Sequence, residues 1–247
     1  MITPPAITPL LVAELLVEGE RWPVYVHVID HPAARVLVDT GMTELHPEVA
    51  DMDPRLVPLS EQAFDLAGVD VVVNTHLHFD HCGWNARRAG ERVVPTFPRA
   101  RYFVQRGEWD HALGPTERDR ASYIADFFRP AEAQTEFLDG EGEIVPGIRV
   151  EVVPGHNRNM QCVWIESRGQ QACFISDLVP MRLHLAYPWI MSLDLYPMET
   201  LANKKRMLPQ LLKQRALVIF PHDPDVPWAR LAEAEGKITA VSVDGSS

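Results

Sequence analysis

The feature that most constrains this chain is a dense run of metal-binding side chains directly after an apolar segment. Residues 71–74, VVVN, have the character of a short buried strand, and residues 75–83, THLHFDHCG, follow at once. An isolated histidine is more often a hydrogen-bonded core residue. Three imidazoles and a carboxylate within six residues are not typical of a core, and they predict a metal site at the end of a strand.

The spacing of these side chains suits more than one ion. In an extended segment alternate residues share a face, so His76, His78 and Asp80 are predicted to point the same way, and a turn at Asp80 and His81 brings the last imidazole round. That arrangement fits two metal ions about 3.5–4 Å apart. Histidine and carboxylate ligands without cysteine are what zinc prefers at catalytic sites, so two Zn²⁺ are the predicted cofactors. Iron, manganese or cobalt fit the same ligand types.

The order of predicted elements indicates an α/β (α+β) chain forming a single domain over residues 1–247, with two sheets packed as an αββα sandwich. Apolar alternation and turn residues predict strands, and helical spacing predicts helices. The predicted strands are 10–19, 23–30, 34–41, 71–74, 135–138, 144–153, 161–166, 171–176, 216–220 and 236–243, with a hairpin turn at Arg168 and Gly169. The predicted helices run from Ser60 to Leu66, ended by Gly68, over 107–130 in two pieces broken at Pro115, and over 199–214.

Charge and composition narrow the class of partner. The net charge of −11 disfavours binding to nucleic acid or to an anionic membrane surface, so a small-molecule substrate is expected. The basic run 204–206, KKR, lies on a predicted helix and is interpreted as solvated. We find no apolar stretch near the ~18 residues of a membrane span, no leader-like start and an odd number of cysteines, so the cytoplasm is the expected compartment.

Several further motifs lie in the order and spacing of a known family. The signature HxHxDH stands at 76–81, VDTG at 38–41, PGH at 154–156, SD at 176–177 and PH at 221–222. With these motifs the chain resembles the metallo-β-lactamase-fold hydrolases over nearly its whole length. The resemblance implies that family's four-layer αββα sandwich.

The resemblance also implies a complete ligand set. His76, His78 and His156 would hold one metal, and Asp80, His81 and His222 the other, with Asp177 bridging the two. Taken singly, His156, Asp177 and His222 are equally well explained as a loop histidine, a helix N-cap and a surface residue. Asp39 is similar to the family's aspartate beneath the metal site, which would orient a ligand histidine, although a turn aspartate before Gly41 is an equal alternative.

A reaction follows from this ligand set. Water shared by two metal ions is acidified toward neutrality, and the resulting hydroxide would open a lactone or cleave an ester of a small molecule. Asp80 is the candidate for accepting the proton and passing it to the leaving group. Cys82 is interpreted as a small buried hydrophobe rather than as a ligand or nucleophile.

For the substrate, the chain most resembles dinuclear lactonases that open N-acyl homoserine lactones, and their relatives that hydrolyse phosphotriesters. Such lactonases carry a substrate-binding tyrosine three residues after the bridging aspartate, and here that position is Pro180. The apolar segment 183–198 is predicted to line the pocket, although packing on the sandwich or a homodimer surface is an equal alternative. The candidate pocket residues are Trp84, His184, Tyr187, Trp189 and Tyr196.

Alternatives from other classes remain at this point. A phosphotriester or aryl-ester hydrolase would use the same ligands. A nuclease would need a basic track that the chain lacks, and a redox enzyme of this fold would be expected to replace one motif histidine by glutamate, against which His78 argues. A non-catalytic metal-binding protein would have closed coordination shells, whereas seven ligands shared by two ions leave room for water and substrate.

Overall fold

The computed structural model describes residues 7–17, 19–43, 47–62, 64–241 and 243. By their internal contacts, residues 4–139 and residues 140–247 form two compact units, here called the N-terminal unit and the C-terminal unit. Within the described residues each unit contains one seven-stranded mixed sheet together with helices. The single domain expected over residues 1–247 stays a prediction.

The N-terminal unit begins with three antiparallel strands, as the alternation of apolar residues predicted. Its sheet has the order β4-β1-β2-β3-β5-β8-β9, and β6 and β7 form a separate hairpin. Its strands are β1 Ile7–Val17, β2 Glu20–His31, β3 Ala34–Val38, β4 Arg55–Leu56, β5 Val71–Val73, β6 Ala86–Ala89, β7 Arg92–Pro95, β8 Arg101–Gln105 and β9 Thr135–Leu138. Its helices are α1 Phe79–Cys82, α2 Arg106–Leu113 and α3 Ala125–Phe128.

The parallel half of this sheet positions the histidine motif. Strands β3, β5, β8 and β9 are parallel neighbours, and β5 is buried along its whole length, as its run of three valines predicts. The carboxyl ends of β5 and β8 therefore lie at the same edge of the sheet. The residues after β5 lead to His76, and α2 begins directly after β8, so this edge brings the motif and α2 together.

The C-terminal unit contains a sheet of order β10-β11-β12-β13-β14-β15-β16 and one long helix. The predicted hairpin at Arg168 and Gly169 is confirmed, with φ of 51° and 74° at these two residues, as a tight two-residue turn requires. Strands β13 and β14 are parallel, so the loops carrying Asp177 and His222 leave the same edge. The elements are β10 Gly142–Val145, β11 Ile148–Val152, β12 Gln161–Ser167, β13 Gln170–Phe174, α4 Pro197–Gln214, β14 Leu217–Ile219, β15 Trp228–Ala234 and β16 Lys237–Val241.

The prediction that residues 204–206 form a solvated basic run is wrong for its first member. Lys205 and Arg206 are exposed, but Lys204 is 0% exposed. The buried face of α4 consists of Thr200, Lys204, Met207, Leu208 and Leu211, which is the spacing of a helix that packs on a core. The helical position of Lys204 outweighed the tendency of lysine to remain in water.

Two predicted helices differ from the structure. The described residues from Ser60 to Leu66 form no α-helix, and residue 63 lies outside the described residues: 3-10 turns occupy Leu59–Glu61 and Leu66–Gly68, and the second begins where the Asp65 carboxylate accepts from the Ala67 N–H. In the second half of 107–130 only α3 is α-helical. There the Asp119 carboxylate accepts from the Thr116 N–H at 2.8 Å and from its hydroxyl at 2.6 Å, and such side-chain bonds compete with helix formation.

Most predicted strands differ from the observed strands in their end residues, and β4, β6, β7, β8 and β15 were not predicted. Residues 144–153 form parts of two strands, β10 and β11, because Gly147 at φ 83° turns the chain between Val145 and Ile148. The final edge strand is confirmed for Lys237–Val241, and the rest of the predicted strand includes residue 242, which lies outside the described residues. In the part of the chain that the structure describes, no helix combines the length and apolar character needed to cross a membrane.

Candidate metal centre

The histidine motif of the N-terminal unit is built on a strand end and one helical turn. His78 is extended, at φ −65° and ψ 153°, and its carbonyl accepts from the N–H groups of both His81 and Cys82 at 3.0 Å, which closes the turn of α1. The turn predicted at Asp80 and His81 is confirmed, but it already begins at Phe79, so Asp80 does not continue the extended segment of His76 and His78. The chain bends one residue earlier than the sequence predicted.

This turn gathers four candidate ligands, which we call the N-terminal cluster. The His76 ring centroid lies 4.5 Å from that of His78 and 4.0 Å from that of His81. Nε2 of His81 is 3.7 Å from a carboxylate oxygen of Asp80. The three histidines are buried, whereas the Asp80 side chain keeps 17% of its exposure. The cluster consists of His76, His78, Asp80 and His81.

Asp39 contacts this cluster through His81. One of its carboxylate oxygens accepts from the Thr75 N–H at 2.7 Å, and the other contacts the Thr75 hydroxyl and Nδ1 of His81, both at 2.8 Å. Burial raises the pKa of the Asp39 carboxyl, and the neighbouring His81 counteracts that shift. A carboxylate bonded to Nδ1 leaves Nε2 as the nitrogen that can bind a metal.

The VDTG segment that carries Asp39 is held in an unusual conformation. Asp39 has φ 56°, and the N–H of Thr40 donates to the carbonyl of His81 at 2.7 Å, which links this segment to the histidine turn. Gly41 has φ 70°, and a Cβ there would lie 2.1 Å from a methyl group of Val12. Glycine at 41 is thus required by both conformation and space.

A second set of contacts reaches the motif from α2, and sequence reasoning missed it. The carboxylate of Glu108, which is 0% exposed, accepts from the Leu77 N–H at 2.9 Å, between the two ligand histidines. It also accepts from the Tyr123 hydroxyl at 3.1 Å, and the Tyr123 ring packs edge-on against His78 at 4.7 Å. Glu108 stands 31 residues from Leu77, so the only signal would have been an acidic residue in an otherwise buried helix face.

The C-terminal unit gathers the other three candidate ligands, which we call the C-terminal cluster: His156, Asp177 and His222. They lie in the loops after β11, β13 and β14. One carboxylate oxygen of Asp177 is 3.4 Å from Nε2 of His156, and the other is 3.5 Å from Nε2 of His222. A carboxylate that presents one oxygen to each of two histidines has the arrangement that a bridging ligand requires.

Asp194 contacts a histidine of the C-terminal cluster as Asp39 contacts one of the N-terminal cluster, and the sequence analysis did not identify it. Its carboxylate lies 3.0 Å from Nδ1 of His156 and accepts from the Thr200 hydroxyl at 2.6 Å. Gly155 allows this contact with α4, because a Cβ there would lie 2.3 Å from the Thr200 hydroxyl. Asp194 is 38 residues from His156, in a loop with no recognisable motif.

The donor set fits divalent metal ions. Buried imidazoles, together with the carboxylates of Asp80 and Asp177, match the ligands of catalytic zinc, and Asp177 lies between two histidines. Cys82 is not part of this set: its thiol donates to the Leu77 carbonyl at 3.3 Å, and burial followed by the charges of Asp39 and Asp80 raises its pKa well above the ordinary value. The interpretation of Cys82 as a buried, unreactive thiol agrees with these contacts.

The candidate pocket residues have different surroundings. Trp84 is buried in a 3-10 turn of the N-terminal unit, and Tyr187 packs partly buried against the C-terminal core. Tyr196 precedes α4 with the Arg158 guanidinium 4.2 Å from its ring centre. Trp189 is 52% exposed.

His184 is a pocket candidate that interacts electrostatically with the C-terminal cluster. It is buried in the turn Arg182–Leu185. Burial and the charge of Lys204 lower its pKa, and the carboxylates of Asp177 and Asp194 oppose that shift. The structure therefore places His184 within electrostatic reach of Asp177.

Comparison with known proteins identifies a family model and several relatives that this chain resembles. A family model described as the metallo-beta-lactamase superfamily matches residues 19–227. An N-acyl homoserine lactonase from Bacillus cereus is 24% identical over 224 residues, covering 81% of each chain. The N-acyl homoserine lactonase AttM of Agrobacterium fabrum is 25% identical over 239 residues, covering 86% of each.

Solved structures agree on the fold. A Staphylococcus aureus protein described as a probable metal-dependent hydrolase matches with a TM-score of 0.85 at 21% identity, covering 98% of both chains. The dizinc quorum-quenching lactonase AidC, in complex with a product, matches with a TM-score of 0.75 at 17% identity, covering 92% of this chain and 82% of that one. These likenesses confirm the α/β (α+β) fold class predicted from the sequence.

Proposed function

The chain belongs to the metallo-beta-lactamase superfamily, and from that premise we propose that it is a dinuclear, zinc-dependent hydrolase that opens a lactone of a small molecule. The observation that carries the proposal is the arrangement of its seven candidate ligands in two clusters, in each of which a buried carboxylate holds Nδ1 of a histidine. Such outer carboxylates are the usual companions of metal-binding histidines. A histidine that served only packing would not need one.

The assignment of ligands to the two metal ions follows the family resemblance. We assign one ion to His76, His78 and His156 and the other to Asp80, His81 and His222, with Asp177 shared. Zinc held by such ligands supplies Lewis acidity, which lowers the pKa of water toward neutrality and polarises a carbonyl.

Side chains of the protein are proposed to transfer the proton and to orient the histidines. Asp80 is the candidate proton acceptor, because it is the carboxylate of the N-terminal cluster that keeps some exposure, 17% for its side chain. After ring opening, it would return the proton to the leaving alkoxide. Asp39 and Asp194 hold the imidazoles of His81 and His156 still during this exchange, so little reorganisation accompanies the reaction.

The substrate class rests on the relatives and on the segment after Asp177. The similar proteins are named N-acyl homoserine lactonases, and we propose a lactone with an apolar acyl group. The segment 183–198 presents apolar side chains that suit such a group, with Leu183, Trp189, Leu193 and Met198 each more than half exposed. Trp84 remains a further candidate for binding the apolar group of the substrate.

A second substrate class is retained because the substrate-binding tyrosine of the lactonases is absent from its expected position. At that place stands Pro180, whose carbonyl accepts from the His222 N–H at 3.0 Å. Tyr187 packs against the core and Tyr196 against Arg158, so His184, near Asp177, is the better substitute for binding the substrate carbonyl. Without the tyrosine, phosphotriesters or aryl esters are the alternative substrates for the same ligand set.

The test combines metal analysis with a substrate panel. Purified protein is analysed by inductively coupled plasma mass spectrometry, and its turnover of lactones, aryl esters and phosphotriesters is measured before and after chelation. We expect close to two equivalents of zinc and lactone opening that the chelator abolishes and added zinc restores. Turnover of phosphotriesters or aryl esters alone would assign the substrate to those classes instead of the lactones. Full activity in metal-free protein would refute the proposal.

A further inference from the structure

Lys204 occupies a position in α4 where a core-facing helix normally places an apolar side chain. It belongs to the buried face of α4, between Thr200 on one side and Met207 on the other, and none of its surface is exposed. A buried ammonium group is unfavourable unless polar atoms surround it. The placement of Lys204 therefore depends on the acceptors that it meets.

Those acceptors are main-chain carbonyls in the segment that follows Asp177. Nζ of Lys204 donates to the carbonyls of Ala186 and Trp189, both at 2.7 Å, and the carbonyl of Tyr187 lies at 3.5 Å. The Trp189 N–H also donates to the Ala186 carbonyl at 3.0 Å. The ammonium group thus lies inside a turn formed by residues 186–189.

The same face of α4 also reaches the C-terminal cluster. One helical turn before Lys204, the Thr200 hydroxyl donates to Asp194, which contacts Nδ1 of His156. The negative charge of Asp194 favours the protonated form of Lys204, although burial lowers the pKa of Lys204 to about 8. One helix face therefore contacts both the carboxylate that orients a candidate metal ligand and the turn that carries two candidate pocket residues.

We propose that Lys204 is a positioning residue that holds the turn 186–189 in the conformation in which Tyr187 and Trp189 receive the apolar acyl group of the substrate. The inference rests on the proposed function, because the turn affects substrate choice only if the neighbouring ligand set is catalytic. Among the described residues, Nζ of Lys204 donates to main-chain carbonyls and not to a candidate metal ligand. Its influence is expected on substrate binding rather than on the chemical step.

The test compares Lys204→Met, which matches the lysine side chain as far as Cε and removes the ammonium, with Lys205→Met on the exposed side of the same helix. Hydrogen exchange at the Trp189 amide, metal content, and kcat and KM for short-chain and long-chain lactones are measured for both variants. For Lys204→Met we expect about tenfold faster exchange and an increase of about tenfold in KM for the long-chain lactone, the effect of losing a charge-assisted hydrogen bond. The short-chain KM, kcat and metal content stay near wild type, and Lys205→Met matches wild type throughout.

Two results would overturn the inference: unchanged exchange at Trp189, or faster exchange with the KM ratio of the two lactones unaltered. A wild-type protein that carries its metals and opens no lactone refutes the proposed substrate instead, and the KM comparison then uses short-chain and long-chain forms of the ester that it hydrolyses. If Lys204→Met does not fold, Lys204→Gln, which retains an amide donor one atom shorter, takes its place with a smaller expected increase. Rescue of Trp189 protection and of long-chain KM in Lys204→Gln relative to Lys204→Met would separate hydrogen bonding from side-chain volume.

Discussion

The N-terminal and C-terminal clusters both gather candidate metal ligands, but they take them from different numbers of chain segments. The N-terminal cluster takes all four candidate ligands from residues 76–81, which comprise the end of a strand and one helical turn. The C-terminal cluster takes His156, Asp177 and His222 from three separate loops. The first is organised largely by local backbone hydrogen bonds, and the second depends on contacts between distant segments.

The outer carboxylates reflect this difference. Asp39 receives three hydrogen bonds from Thr75 and His81, which lie in or beside the motif. Asp194 joins His156 to Thr200, and the backbone N–H of Tyr196 donates to Gly155 at 2.8 Å. The C-terminal cluster is therefore linked to the loop that precedes α4, whereas the N-terminal cluster is linked mainly to the strand edge beside it.

The largest expected effect comes from removing Asp177, the proposed shared ligand. Asp177→Ala should lower kcat/KM by roughly 10³-fold or more, because the loss of metal-assisted charge stabilisation amounts to several kcal/mol. We expect Asp177→Ala to bind neither ion tightly, and His78→Ala to lose the ion of His76 and His156 while retaining part of the other. Metal content and kcat/KM of folded protein, verified by circular dichroism, test this. A folded Asp177→Ala variant with two metals and wild-type turnover would contradict the assigned ligand set.

The next largest effect is expected from replacing the two outer carboxylates, Asp39 and Asp194. Asp39→Asn and Asp194→Asn should each weaken metal affinity or activity by about 10–100-fold, as such substitutions generally do. We expect Asp39→Asn to be the more damaging, since an amide cannot accept from all three donors that surround Asp39. Zinc titration with a competing chelator measures both. Equal losses, or a larger loss for Asp194→Asn, would show that the difference between the clusters does not extend to metal binding.

The same contrast explains what could be predicted from the sequence. The strands β1 to β3 and the ligands His76 to His81 follow from local alternation and spacing, because the responsible contacts are close in the chain. Asp194 and Glu108 were missed because their partners lie 38 and 31 residues away, and neither stands in a motif. His156, Asp177 and His222 could be named only through the family resemblance, since each alone looks like an ordinary loop residue.

Lys204 and Asp80 show where local rules failed for physical reasons. Three consecutive basic residues suggest a solvated face, but only the helix register decides which of them is buried, and it buries Lys204. Alternation predicted an extended Asp80, but the carbonyl of His78 captures two N–H groups and starts a helical turn. In both places contacts with specific partners outweighed the average preference of the residue type.

The two units also differ in the pH range over which a buried base affects stability. In the N-terminal unit, burial lowers the pKa of His27 from 6.5 to about 3, so the unfolded chain binds more protons between these values. Its contribution to stability is present above pH 6.5 and is lost as the pH falls toward 3. We expect the free energy of unfolding to decrease by about 2 kcal/mol from this group between pH 7 and pH 5.

For Lys204 in the C-terminal unit the window is alkaline. Its pKa falls from 10.5 to about 8 on burial, so its effect on stability becomes more favourable as the pH rises from 8 to 10.5. Urea unfolding at several pH values, with His27→Val and Lys204→Met as controls for each other, tests both windows. In each variant, the free energy of unfolding should lose its pH dependence only in the pH range of the replaced group. An unchanged acid slope in His27→Val would show that other groups dominate acid unfolding.

The smallest expected effect comes from removing one hydroxyl beside each cluster. Thr200→Val deletes the 2.6 Å bond to Asp194, and Tyr123→Phe deletes the 3.1 Å bond to Glu108. Loss of a hydrogen bond to a charged group costs about 1.5–3 kcal/mol, and we expect Thr200→Val to approach that range and Tyr123→Phe to fall below it, since Glu108 keeps the Leu77 N–H at 2.9 Å. Chemical unfolding measures the stability, and zinc affinity reports whether His156 is still oriented. If Tyr123→Phe proves the more damaging, the N-terminal cluster depends on α2 as strongly as the C-terminal cluster depends on α4, because its local hydrogen bonds would then be insufficient to orient His78.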